Sequence, residues 1–398
     1  MAEPKLALIP SAYKTGTVYS PLPTNGDGNF AFTRNTEATR VNKDGLIETV
    51  GNNIPRLDYS DGGCPSLLLE PSRTNIVTHS ENFADASWSP TNVSLTTADV
   101  ISPSGDLNAT KIEGTAVSTK RIFDVISTTA SSTYTYSLYV KKGNTPTLSF
   151  LTSSGSINCT FNLDTLTASN GSIEDAGNGW YRLSATGTAS GVSEVFQILL
   201  NSSEGAGTFQ FIYGAQVEQG SYATSYIPTN GGISTRASDL CIGAGNSNVF
   251  NDDEGVLFFK GKFPNTTATA NRYITLSDSG GSPYTNQISF YFFSNTAVIV
   301  YIGGASTATQ AFRITNIDIQ DSEFKIALQY KFGDNKLFFN GVEYTQQGTF
   351  VDSHLTGLND ISFTNDDSVD FSLNMKVQDL RYYDTTLTDA ALIELTTL

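Results

Sequence analysis

Cysteine, methionine, histidine and tryptophan are nearly absent, at 3, 2, 2 and 2 of 398 residues. Cys64, Cys159 and Cys241 are widely spaced and show no CxxC pattern, so neither a disulfide framework nor a zinc site is expected. With only His79 and His354, chemistry that relies on imidazole has little to draw on. No stretch approaches the ~20 apolar residues of a membrane-spanning helix. Met1-Ala2-Glu3-Pro4-Lys5 lacks a basic region followed by an apolar run, so no secretory signal is expected.

What is abundant points to β-structure. The chain holds 24 Phe and 18 Tyr, its hydrophobic fraction is 39%, and its charged fraction is only 16%. Aromatic and β-branched residues separated by turn formers predict an all-β protein, and the length predicts two or three domains. The net charge is −16 and unevenly spread. Residues 1–75 carry 7 basic and 8 acidic side chains, residues 76–245 carry 7 and 13, and residues 246–398 carry 9 and 18. Such an acidic surface repels phosphate backbones, which argues against nucleic-acid binding.

Residues 1–75 read as an irregular arm punctuated by Asn25-Gly26-Asp27-Gly28, Pro55 and Gly62-Gly63. Within it, Lys43-Asp44-Gly45 predicts a hairpin between Arg40-Val41 and Leu46-Ile47. The arm's scattered apolar residues leave two readings open: docking on a neighbouring subunit, or wrapping this chain's own first domain. From 76 to 228 the strand signals become regular. Tyr134, Tyr136, Leu138 and Val140 alternate with Thr133, Thr135 and Ser137, and Phe209, Phe211 and Tyr213 repeat the pattern. Residues 229–250, rich in Gly and Asn, read as a linker. Residues 251–398 read as a second sandwich, with Phe324, Ile326, Leu328 and Tyr330 on one face of a strand, Asp334-Asn335 as one turn and Asn340-Gly341 as a type I′ turn. One helix is predicted, capped by Thr388 and running from Asp389 to Leu395; Ala391 stands where a capping box would place Glu, so the cap is partial.

Candidate chemistry is sparse. Asp321 and Glu323 share a strand face after Asp318, where solvated carboxylates are ordinary. His79 and His354 lie beside turn-like sequence without a nucleophile elbow. Asp366, Asp367 and Asp370 could offer oxygen ligands to calcium, though a solvated acidic loop is the commoner arrangement. Trp88 and Trp180 could stack on sugar rings; Trp180 heads a strand and is expected in the core, whereas Trp88 could anchor the arm. No catalytic residue, metal ligand or cofactor is assigned.

Several stretches carry a resemblance. Thr39–Ile47, Pro55-Arg56-Leu57-Asp58-Tyr59 and Leu67-Leu68-Leu69-Glu70-Pro71 resemble a lead-in found in phage structural proteins. Ser72-Arg73-Thr74-Asn75, Ser80-Glu81-Asn82-Phe83, Gly179-Trp180-Tyr181-Arg182-Leu183, Gly214-Ala215-Gln216-Val217-Glu218 and Thr224-Ser225-Tyr226-Ile227-Pro228 resemble a carbohydrate-binding-module-like sandwich. Phe324–Leu328, Leu337-Phe338-Phe339-Asn340-Gly341 and Leu380-Arg381-Tyr382-Tyr383 resemble a concanavalin A-like (laminin G-like) domain. The resemblance implies two jelly-roll-type β-sandwiches in tandem after an irregular N-terminal arm, with a short C-terminal helix. It further implies a non-enzymatic bacteriophage virion protein of tail, fibre or head-decoration type. Such a protein would be a homo-oligomer held to other virion proteins by its arm, with a host surface glycan as a possible ligand. The rival is a tail-associated glycan depolymerase. Glycosidases of the concanavalin A-like fold often carry a Glu-x-Asp-x-x-Glu pattern, and this sequence has none.

Overall fold

The computed structural model describes residues 2–264, 272–278, 285–294, 296–307, 309–317, 319–348, 350–364 and 374–398. The chain is all-β, built as two sandwiches, with one helix among the described residues at the C-terminal end. That helix, Asp389–Thr396, is capped by Thr388, whose hydroxyl accepts from the Ala391 N–H. No helix among the described residues is long and apolar enough to cross a membrane.

The division of the chain departs from the expected order. One compact unit is Met1–Glu37, Val50–Ser72 and Ala237–Leu398; the other is Ala38–Thr49 and Arg73–Arg236. The second is therefore inserted into the sequence of the first, and we call them the inserted and the C-terminal sandwich. Neither a free arm over 1–75 nor a plain linker over 229–250 exists. The scattered apolar residues of 1–75 find strand partners far along the chain. Leu6–Leu8 pairs antiparallel with Leu380–Tyr382 inside the strand Met375–Tyr383, and Ser66–Leu69 pairs on that strand's other half. In the expected linker, Leu240–Ile242 pairs with the strand Phe30–Thr33, and Ser234–Arg236 pairs with Arg73–Asn75. Composition rated these pieces poor in core-forming residues; cross-strand pairing over long separations supplied the partners.

The inserted sandwich has two six-stranded sheets. Alternation works as expected: in Lys120–Ser127, Ile122 and Ile126 turn inward while Val125 is exposed. Phe83, Trp88, Tyr136, Leu138, Phe150, Phe161, Phe196 and Val217 fill the core. Among the described residues, the C-terminal sandwich stacks an eight-stranded sheet on a five-stranded one. Phe259, Phe290, Phe292, Phe324, Leu380 and Tyr382 lie between them, with Leu6, Leu8, Phe30 and Phe32 contributed by the first segment. The C-terminal helix covers the outer side of the larger sheet, setting Leu392 and Leu395 on Val256, Phe258 and Phe338.

Four buried charged side chains tie the pieces of the C-terminal sandwich together. Asp239 Oδ1 lies 3.1 Å from Arg34 Nη1, and its Oδ2 accepts from Arg56 Nη2 and from the Glu70 N–H at 2.9 Å. Arg56 Nη1 reaches Glu70 Oε2 at 2.6 Å. Arg34 also donates to the carbonyls of Thr36, Gly51 and Ile54. Two guanidinium groups and two carboxylates thus balance where none is solvated.

Candidate functional site

Most residues singled out in the sequence have structural employment. Trp88 and Trp180 are both buried in the inserted sandwich. The Trp88 indole N–H donates to the His79 carbonyl at 2.9 Å, and its ring packs on Phe83 and Phe196. Trp88 is thus core, and the anchoring of an arm is not its role. Trp180 donates to the Ile101 carbonyl at 3.1 Å and joins Tyr139, Tyr213 and Tyr226 in a separate cluster. Ile47, from the hairpin of Ala38–Val41 and Ile47–Val50, packs against this cluster, so the aromatic side chains there are covered by the chain itself.

His79 does not form a catalytic relay. Its Nδ1 lies 3.2 Å from Asp85 Oδ1 and 3.3 Å from Ser87 Oγ. A serine hydrolase needs the nucleophile on one ring nitrogen and the orienting carboxylate on the other. Here both face the same nitrogen, so a proton taken from Ser87 has no assisted path. The Ser87 backbone N–H also holds the Asp85 carboxyl below the usual carboxylate range.

Asp321 and Glu323 are not a catalytic pair either. Asp321 sits in the left-handed region (φ 50°), before the strand Glu323–Lys331 begins. Glu323 Oε1 accepts from Gln378 Nε2 at 2.6 Å and its Oε2 pairs with Lys260 at 3.3 Å, in the open. Glu323→Ala is expected to lower stability by no more than about 0.5 kcal/mol, the usual worth of an exposed pair; a urea titration checks it, and a loss several times larger would mean the group is structurally required. Asp318, Asp366, Asp367 and Asp370 lie outside the described residues. Among the described residues, no group of three or more His, Cys, Asp and Glu side chains is placed to hold a metal ion.

His354 stands in a small recess at one end of the C-terminal sandwich. The strand Glu323–Lys331 turns back through Phe332-Gly333-Asp334-Asn335 into Lys336–Phe339, and Gly333 at φ 77° lets the chain reverse. Asp352, on a facing loop, braces that turn: Oδ2 accepts from the Gly333 N–H at 2.7 Å and from Asn335 Nδ2 at 2.8 Å. Ser353 Oγ accepts from the Gly304 N–H at 2.8 Å, and Asp252 accepts from the N–H groups of Gly357 and Leu358 at 2.6 and 2.8 Å. These bonds fix a shallow recess of about 10 Å³, room for about one water molecule, lined by Asp252, Asp253, Tyr330, Phe332, Asn335 and His354. Phe332 is 55% exposed, and the His354 ring lies flat on it, 4.2 Å between centroids and 7° between planes.

The chemistry of this recess is that of contact. A stacked aromatic pair beside amide and carboxylate oxygens offers a flat apolar surface and acceptors for hydroxyl groups. Burial pushes the Tyr330 phenol far above its ordinary range and that of Tyr382 up to about 12, so both stay protonated, with their hydroxyls 2.7 Å apart. The carboxylates of Asp252 and Asp352 are occupied by N–H donors, whereas glycoside cleavage requires one protonated and one ionised carboxyl flanking the bond. Sequence reasoning found Asp334-Asn335 only as a turn and passed over Phe332. The readable signal was an aromatic residue just before a Gly-Asp-Asn turn, where a core role is not available.

No protein-family profile matches the chain. No curated protein matches it. Solved structures resemble it weakly. The CBM40 module of Ruminococcus gnavus IT-sialidase, bound to α2,3-sialyllactose, is 14% identical, with 38% of this chain and 86% of that one covered and a TM-score of 0.32. Domains LG4-5 of the mouse laminin α1 chain are 9% identical, with 65% and 84% covered and a TM-score of 0.26. A tail fibre protein of an E. coli phage is 8% identical, with 80% and 41% covered and a TM-score of 0.21. The structures this chain is similar to therefore include carbohydrate-binding modules, laminin G-like domains and, more faintly, a phage tail fibre.

Proposed function

We propose that this protein is a non-enzymatic component of a bacteriophage virion that recognises a surface glycan. The observation that carries glycan recognition is the exposed Phe332–His354 stack, held rigidly above a small polar recess. Sugar rings present apolar C–H faces to aromatic platforms and hydroxyls to carboxylate and amide groups, and a pre-formed site limits the entropy lost on binding. The virion setting is supported by the sequence resemblance to phage lead-in and sandwich modules. On this reading the protein is a homo-oligomer, held to other virion proteins by the near-neutral first 75 residues and displayed on the particle surface. Residues of 1–75 that enter the C-terminal sandwich then present a folded surface for attachment.

The test is binding of the full chain to host cell-wall and capsular polysaccharide by affinity electrophoresis, with reducing ends assayed in parallel. Retardation is expected without release of reducing ends. Phe332→Ala is expected to weaken binding about tenfold, the equivalent of ~1.4 kcal/mol for one stacking contact. Released reducing ends would instead favour the depolymerase, and unchanged affinity of Phe332→Ala would remove the recess from the site.

A further inference from the structure

The two sheets of the inserted sandwich differ in what lies outside them. On the sheet holding Thr133–Lys142 and Phe209–Gln219, Tyr139 and Tyr213 are buried with Trp180, and the chain's own Ile47 packs on them. The other sheet holds Lys120–Ser127, Ser193–Leu200, Thr147–Thr152 and Asn158–Asn162. There Ile122, Phe196, Phe150 and Phe161 point into the core, so their neighbours along each strand point out. The register sets Phe123, Gln197, Leu151 and Asn158 in one outward row across the four strands. Arg121, Leu199, Ser149 and Thr160 form the row on one side of it, and Val125 pairs with Val195 on the other. Val125 is 60% exposed, Asn158 and Thr160 are exposed, and Phe123, Leu151, Val195 and Leu199 are half-buried. Of these rows only Gln197 is buried; its amide oxygen accepts from Arg121, whose guanidinium lies 4.8 Å from the centre of the Phe123 ring.

This face carries no acid. Asp124 and Glu194 are the acidic side chains of the four strands, and both fall on the inward parity and are buried. The chain as a whole is at −16, and residues 76–245 carry 7 basic against 13 acidic side chains. Two copies therefore repel one another over most of their surfaces, and a face without carboxylates is where they can approach. Its make-up suits that contact: aromatic and aliphatic side chains with one Arg, bordered by hydroxyl and amide groups. The four strands cover roughly 20 Å by 20 Å. That is less than the about 800 Å² per partner of a standard interface, which suits a reversible association.

We infer that this face docks on the same face of a second copy, the two sheets stacking across a two-fold axis. Phe123, Val125, Val195 and Leu199 of each copy leave water together, as the inner faces of a sandwich do at about 10 Å separation. An isologous contact asks only that one surface match itself, and an uncharged apolar patch does so. The inference rests on the homo-oligomer in the proposed function and names its surface; it does not depend on glycan binding.

The experiment is sedimentation of the full chain over a range on the order of 1–100 μM, where contacts of this size associate. A dimer is expected, and raising NaCl from about 0.05 to 0.5 M should hold or tighten it by screening the repulsion between copies. Val125→Glu is expected to weaken the dimer about a hundredfold, because it sets like charges together in an apolar contact. Phe123→Ala is expected to weaken it about tenfold. Leu107→Glu, the same change of charge at a 60% exposed position on the other sheet, should leave it as it is. Should Val125→Glu not fold by circular dichroism, Thr160→Glu, exposed on the same face, carries the test. A dimer that none of the face variants weakens would overturn this inference and leave the homo-oligomer standing. A parent that stays monomeric would overturn both and leave glycan recognition standing. Loss of the dimer in salt would mean that ion pairs hold it, against the apolar contact, and an odd-numbered assembly would overturn the two-fold axis. Retardation of a monomeric parent in a polysaccharide gel, lost in Phe123→Ala, would give the face to a glycan instead.

Discussion

Replacing Asp239 by alanine is expected to lower the stability of the C-terminal sandwich by about 3–5 kcal/mol, because it strands buried charge. Arg34 and Arg56 each lose a carboxylate partner, and only Glu70 remains to balance two guanidinium groups that water cannot reach. The Glu70 N–H loses its acceptor as well. With domain stabilities of about 5–15 kcal/mol, this is a large share. The melting temperature of this sandwich should fall on the order of 10 °C. Calorimetry is the appropriate measurement, since Trp88 and Trp180 both belong to the inserted sandwich and their fluorescence reports on that unit. Asp239→Asn keeps an acceptor but not the charge, and a smaller loss is expected. A shift of under about 2 °C for the alanine variant would mean that the cluster is solvated and holds little together.

Deleting residues 1–60 is expected to do more. The truncation removes Leu6–Leu8 from the flank of Met375–Tyr383, Phe30 and Phe32 from the core, and Arg34 and Arg56 from the charge cluster. The C-terminal sandwich should then fail to fold cooperatively, its amides exchanging with solvent as in an unfolded chain. Residues 73–236 should keep protection, because their core of Phe83, Trp88, Phe150 and Phe196 is their own. Native-like exchange protection across Glu254–Lys262 and Met375–Tyr383 in the truncated protein would show that the first segment is an accessory after all.

Local structure was legible in the sequence. The alternation at Tyr134–Val140 lies in the strand Thr133–Lys142, that at Phe209–Tyr213 in Phe209–Gln219, and that at Phe324–Tyr330 in Glu323–Lys331. Asn340 and Gly341 have φ of 46° and 80°, as a type I′ turn requires. These features depend on neighbours a few residues apart, which periodicity encodes. The nesting of the two sandwiches depends on pairs such as Leu6 with Tyr382, and no local pattern records them. Composition misread 229–250 for the same reason: Gly and Asn mark its bends, while Arg236, Asp239 and Cys241 are buried. The charge cluster was invisible because Arg, Asp and Glu are read as solvated by default. At the recess, the Asn335 turn was found, but Asp352 lies on a separate loop, and only the fold brings it to Gly333.

The nested order of the chain also sets a timetable for synthesis. The inserted sandwich is complete once Arg236 has left the ribosome, so it can fold while translation continues. Leu6–Leu8 and Ser66–Leu69 have to wait for Met375–Tyr383, a strand far along the chain. Until then their apolar side chains and open backbone edges are exposed to chaperones and to neighbouring nascent chains. A ribosome that stops early releases a chain whose first strands never find their partner and remain a target for proteases. Only a chain translated through Met375–Tyr383 closes the C-terminal sandwich, so folding itself rejects chains that stop short of it.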